Sequence, residues 1–127
     1  MTDDSRALFD RLGGTAAVAA IVQEMYARVL DDPELAPFFE HASMDRLQTM
    51  QFHFLASAFD GPAEYSGADL TRIHAGRGIT AVHFAKFCGH FADAMEDHGA
   101  SKRDVDDALG RLALYKDKVT GDANVDG

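Results

Sequence analysis

Apolar residues recur at three- and four-residue steps along nearly the whole chain, and nowhere does an apolar–polar alternation of period two persist. A period near 3.6 belongs to a helix with one buried face, and a period of two to a half-buried strand. The 127 residues therefore read as an all-α protein of about six helical pieces, punctuated by glycine, proline and hydroxyl residues. Its length suits one domain over 1–127, with a helical core over 5–120 and a frayed tail over 121–127.

A first short helix is expected over about Arg6 to Leu12, capped by Ser5 and stopped by Gly13-Gly14. Thr15 is placed to cap a second, whose face runs Val18, Val22, Met25 and Val29, with Ile21 and Tyr26 beside it. Asp31-Asp32-Pro33 breaks that helix, and Asp32 caps a short piece from Glu34 to Phe39. Ser43 opens a helix over about Met44 to Phe59, striped by Leu47, Phe54, Leu55 and Ala58 and closed by Gly61-Pro62. Thr80 caps a longer one reaching about Asp97, with Phe84, Phe87, Cys88, Phe91 and Met95 as its face. Ser101 and Asp104 have capping-box spacing, and the last helix carries Val105, Leu109, Leu112, either Tyr115 or Lys116, and Val119 as far as Gly121.

Three polar residues interrupt these apolar faces. Tyr26 flanks the second helix's stripe, and Gln51 sits inside the next, four after Leu47 and three before Phe54. His74 shares a face with Leu70 and Ile73, just before the glycine-broken turn at Gly76 to Gly78. A histidine there is either a core group satisfied by a carbonyl or an imidazole offered to a metal. A buried glutamine either faces an edge or exists to hydrogen-bond something. Three such groups on separate helices can converge on one buried ligand.

A net charge of −9 argues against nucleic acid, which needs clustered Lys and Arg. No run approaches the roughly 18–20 apolar residues of a membrane span. One cysteine, Cys88, rules out an internal disulfide and suits a reducing cytoplasm. Cys88 and Met95 read as core fillers. His83 and His90, seven apart on one face, form a poor metal site without nearby carboxylates and read as surface groups.

One series of motifs carries more. In order come Leu12-Gly13-Gly14, Met25-Tyr26-Ala27-Arg28-Val29-Leu30, Asp32-Pro33, Leu35-Ala36-Pro37-Phe38-Phe39, Gly61-Pro62, Tyr65-Ser66-Gly67 and His74-Ala75-Gly76-Arg77-Gly78-Ile79-Thr80, with His83-Phe84 following. Over about Leu8 to Leu114 the chain resembles the truncated haemoglobins, and within them the first group, the two-over-two helical globins. The resemblance implies non-covalent haem b, with His74 as the proximal ligand to iron and Phe39 stacked on the porphyrin. It makes Tyr26 and Gln51 the distal pair that serves bound gas, with Leu47 a further distal position. Phe38, Met50, Phe54, Leu55, Leu70, Ile79 and Phe84 complete the expected haem contacts, and Arg72 and Arg77 are expected to hold the propionates. Met50 stands where relatives often have Lys, Arg or His, and Leu55 where some have a phenylalanine proposed to gate a tunnel. No histidine follows His98, so the covalent attachment made through a last-helix histidine in some relatives is not expected. The implied ligands are O2, CO and NO. The implied function is oxygen binding in the cytoplasm by a monomer or weak dimer, or else nitric oxide dioxygenation to nitrate with a separate reductase.

Overall fold

A computed structural model describes residues 6–61 and 78–120. Its elements are α1 (Leu8–Arg11), α2 (Gly14–Leu30), a 3-10 turn (Ala36–Phe39), α3 (Met44–Ala58), α4 (Ala81–Asp97), α5 (Lys102–Ala113) and α6 (Lys116–Thr120). Among the described residues there is no strand, and no helix is long and apolar enough to cross a membrane.

Helix α2 is the centre of the arrangement. It packs against α3 and α4, α4 packs on α5 and α6, and α1 lies against α2 and α5. The core follows the three-and-four pattern: Val18, Ile21, Val22, Met25 and Val29 from α2 meet Leu55, Phe59, Phe91 and Met95, all essentially buried. On α3 the buried set is Phe54, Leu55 and Ala56, followed by Phe59, whereas Leu47 and Ala58 are half-buried. The expected stripe is therefore shifted toward Ala56 and Phe59, because Phe9 reaches the end of α3 and donates its N–H to the Phe59 carbonyl at 3.0 Å.

Four expected boundaries move. The piece expected from Glu34 is a 3-10 turn that begins at Ala36, with Leu35 in the cap position, because Asp32 takes the Glu34 amide in the turn before it. Helix α1 begins at Leu8, with Ala7 in the cap position and no side-chain cap; Ser5 lies outside the described residues. Helix α2 begins at Gly14, so Thr15 is already helical and is not its cap. The reason is the glycine pair: Gly13 and Gly14 sit at φ 116° and 80°, and this left-handed step sends the chain straight from α1 into α2. A Cβ at Gly13 would stand 2.6 Å from that of Ala17. The last helix is two helices. Leu114 and Tyr115 donate to the carbonyls three residues back, Arg111 and Leu112, and this tighter turn separates α5 from α6.

The caps of α3, α4 and α5 follow the sequence. Ser43 accepts from the Arg46 amide and Ser101 from the Asp104 amide. Thr80 forms a full capping box with His83: its hydroxyl accepts from the His83 amide at 3.2 Å, and its own amide donates to His83 Nδ1 at 3.0 Å. A chain of ion pairs ties the ends together. Arg11 binds Asp107 at 2.7 Å, Asp107 binds Arg111 at 3.0 Å, and Arg111 binds both Asp60 and the Ala58 carbonyl. Burial alone would raise the Asp107 carboxyl, but hydrogen bonds and charge from Arg111 and Arg11 outweigh it and hold the group below its ordinary value.

Candidate functional site

A cavity of about 270 Å³ lies between α2, α3 and α4 and reaches the α5–α6 junction. Helix α2 contributes Met25 and Tyr26, and the turn after it Leu35, Phe38 and Phe39. Helix α3 presents Leu47, Met50, Gln51, Phe54 and Leu55, spaced at threes and fours along one stripe. Ile79 and the inner face of α4, from His83 and Phe84 to Phe87, Cys88 and Phe91, form the opposite wall. Leu112, Tyr115 and Val119 close the far end.

The polar feature of this largely apolar space is a pair. Tyr26 donates its hydroxyl to Gln51 Oε1 at 3.2 Å, joining α2 to α3. The Tyr26 ring is gripped edge-on by Phe39 at 5.7 Å and by Phe87 at 6.1 Å, so its hydroxyl has one direction to take. Burial pushes the phenol above its ordinary value, so it stays protonated and remains a donor. With Oε1 engaged by Tyr26, the amide nitrogen of Gln51 keeps two N–H groups to offer. Burial likewise raises the Cys88 thiol to about 11, which leaves it neutral and unreactive.

Ten residues singled out in the sequence meet on this one cavity: Tyr26, Phe38, Phe39, Leu47, Met50, Gln51, Phe54, Leu55, Ile79 and Phe84. Leu70, Arg72, His74 and Arg77 lie outside the described residues. Among the described residues, no group of three or more His, Cys, Asp or Glu could hold a metal ion. The wall also includes residues not singled out as site residues. Phe87, Cys88, Phe91 and Met25 were visible only as members of helical apolar faces, and periodicity cannot separate a face that lines a cavity from one that fills a core. Tyr115 packs edge-on against Phe54 at 4.9 Å, a contact that depends on the break after α5.

His90 needs correcting, since a carboxylate does stand beside it. Its Nε2 lies 2.9 Å from Asp32 Oδ2, and the Lys86 ammonium lies 3.1 Å from the same oxygen. The His90 hydrogen bond, the Glu34 amide and Lys86 together pull the Asp32 carboxyl down to about 2. Lys86, bonded to Glu34 and Asp32, is raised. His83 is committed to its capping box, with Phe38 packed edge-on against the ring at 4.9 Å.

Comparison with known proteins extends the picture. A family model for bacterial-like globins matches residues 7–121. A group 1 truncated haemoglobin of Mycolicibacterium paratuberculosis is 41% identical over 117 residues, covering 91% of this chain and 86% of its own. The structure of the Fe(III) truncated haemoglobin of Tetrahymena pyriformis superposes with a TM-score of 0.85 at 25% identity, covering 90% of this chain and 97% of that one. A 2/2 haemoglobin of Synechococcus, in its cyanomet state and with covalently attached haem, shares the fold with a TM-score of 0.84 at 24% identity, covering 91% of this chain and 99% of its own. The all-helical arrangement built around α2 is thus that of the truncated two-over-two globins.

Proposed function

The chain belongs to the bacterial-like globin family, among its group 1 truncated haemoglobins, and on that premise we propose that it holds haem b non-covalently in the cavity and binds O2 there, with CO and NO as competing ligands. Family membership makes it a haem- and gas-binding protein; the haem type, its attachment and the residue roles belong to the present proposal. The observation that carries it is the Tyr26–Gln51 hydrogen bond inside a cavity whose other described lining residues are mostly aromatic and aliphatic. Such walls fit a flat apolar macrocycle, and a pair of donors on one side fits a small polarisable ligand beside it.

Haem, when bound, supplies an iron centre with reversible affinity for diatomic gases. His74 would hold the iron through an imidazole nitrogen. Phe38, Phe39, Leu47, Phe54, Leu55, Leu70, Ile79 and Phe84 would pack around the macrocycle and exclude water, while Arg72 and Arg77 would pair with the propionates. Met50 is 40% exposed at the cavity wall, where an unbranched thioether can cover the porphyrin edge. Tyr26 keeps its one proton on the phenol oxygen, and rotation of the O–H bond would move that proton from Gln51 Oε1 to the gas, while Gln51 offers its amide N–H groups. Helix α6 contains no histidine, which supports non-covalent haem.

Absorbance spectra test this directly. Protein produced with haem available should show a Soret band in ferric, ferrous and carbonyl forms, and acid butanone should extract the haem. His74→Ala should lose the haem or the protein nitrogen on iron. A colourless wild-type protein that takes up no added haem would overturn the proposal. The same pair could serve nitric oxide dioxygenation with a separate cytoplasmic reductase; nitrate formation from NO under turnover with a reductant distinguishes that reading.

A further inference from the structure

We propose that Asp32 is a positioning residue: through Lys86 and His90 it latches the turn carrying Phe38 and Phe39 onto α4, and so holds the aromatic wall that orients Tyr26. The inference rests on the reading of the cavity as a haem and gas site.

Asp32 is an acid buried at the surface of the core, with a side chain only 7% exposed. Every acceptor it has is in use. Its backbone carbonyl takes the amides of Leu35 at 3.0 Å and Ala36 at 2.8 Å, which starts the turn. Its Oδ1 takes the Glu34 amide at 2.9 Å. Its Oδ2 takes His90 Nε2 and Lys86 Nζ, four residues apart on α4, and Lys86 also reaches Glu34 at 2.7 Å. One oxygen therefore shapes the turn and the other fastens it to a different helix. A shielded carboxylate with two cationic or donor partners differs from an exposed pair, because losing the partners strands the charge.

The fastened segment is part of the cavity wall. Leu35, Phe38 and Phe39 all line it, and Phe39 supports the Tyr26 ring edge-on. The anchoring helix lines it as well, through Phe84, Phe87 and Cys88. Release of the latch leaves the turn on α4 through Phe38 on His83 and Glu34 on Lys86, and so loosens one of the two aromatic supports of the phenol.

The test compares Asp32→Asn, Lys86→Met, His90→Leu and His90→Gln. Asparagine keeps an acceptor for the Glu34 amide and loses the charged fastening. In Asp32→Asn and His90→Leu the C–O stretch of the ferrous carbonyl form should shift or split as Tyr26 loses its orientation. Haem should pass to an acceptor apoprotein roughly three- to tenfold faster, the scale of one net hydrogen bond or one partly exposed ion pair. His90→Gln, which keeps a donor, should restore the wild-type stretch. A role in stability alone would lower Tm and leave the stretch in place, and that result overturns the proposal. Unchanged stretch and haem transfer in both Asp32→Asn and Lys86→Met overturn it too. If wild-type protein binds no haem, the cavity reading fails and the latch is read from amide exchange instead. Faster exchange over residues 34–39 in Asp32→Asn supports the latch, and unchanged exchange overturns it.

Discussion

At Tyr26 the phenol hydroxyl donates to Gln51, and two phenylalanines hold the ring. If both residues serve the gas, Tyr26→Phe should speed O2 release by a factor worth about 1–3 kcal/mol, the range for a lost hydrogen bond to a partly charged group. The double variant with Gln51→Leu should cost less than the two singles added, since they share one network. CO, less polar when bound, should respond more weakly. Stopped-flow off-rates decide it, and an O2 off-rate indifferent to Tyr26→Phe removes the network. Both residues were visible in the sequence, Gln51 inside an apolar helical stripe and Tyr26 beside one, but their pairing followed only from the resemblance to truncated haemoglobins. The Asp32–His90 contact was not legible, since its partners are 58 positions apart and each looks ordinary beside its own neighbours.

Where elements join, backbone space decides. The Gly61 amide reaches the Ala56 carbonyl at 2.6 Å, and a Cβ there would fall 2.6 Å from Phe9 Cγ and 3.0 Å from that carbonyl. Phe9 is the residue that docks α1 on the end of α3, so Gly61→Ala should destabilise by about 1–3 kcal/mol through overpacking. Gly89 is exposed on α4, and a methyl added there would meet only open space. Its change to alanine should instead gain roughly 0.5–1 kcal/mol. Urea unfolding of the two variants should move in opposite directions. The turn after α2 gives a pH prediction. Asp32 titrates at about 2 when folded against an ordinary 3.8, so its contribution is fully present above the unfolded value and is lost as pH falls from about 4 toward 2. Asp32→Asn should flatten the acid limb of stability over that window, and an unchanged limb would show that Asp32 does not titrate there. Most helices were legible as elements, since periodicity and cap residues agree. The break between α5 and α6 was not, because Ala113, Leu114, Tyr115 and Lys116 include no glycine or proline. Packing of Tyr115 on Phe54 accompanies a break that local preference does not signal.

Across the whole molecule two regions differ in what holds them. Around α1, the first half of α2 and α5, buried Leu8, Phe9, Val18, Ile21, Val105 and Ala108 are backed by the Arg11–Asp107–Arg111–Asp60 chain. The other region is the cavity wall, where Phe38, Phe39 and Leu47 are only partly buried and Met50 is exposed. A cofactor placed there completes the core of that region and leaves the first nearly untouched. Haem should therefore stabilise the fold by mass action, about 2.7 kcal/mol at a hundredfold excess over Kd, or roughly 10 °C in Tm for a chain of this size. The gain should also be local. Amide exchange in the haem-free protein should stay slow in α5 and early α2 and become fast from the 3-10 turn through the start of α3, with haem restoring protection there. Equal protection with and without haem would mean that the aromatic wall is self-supporting, and the division of the molecule into a packed half and a cofactor-completed half would be wrong.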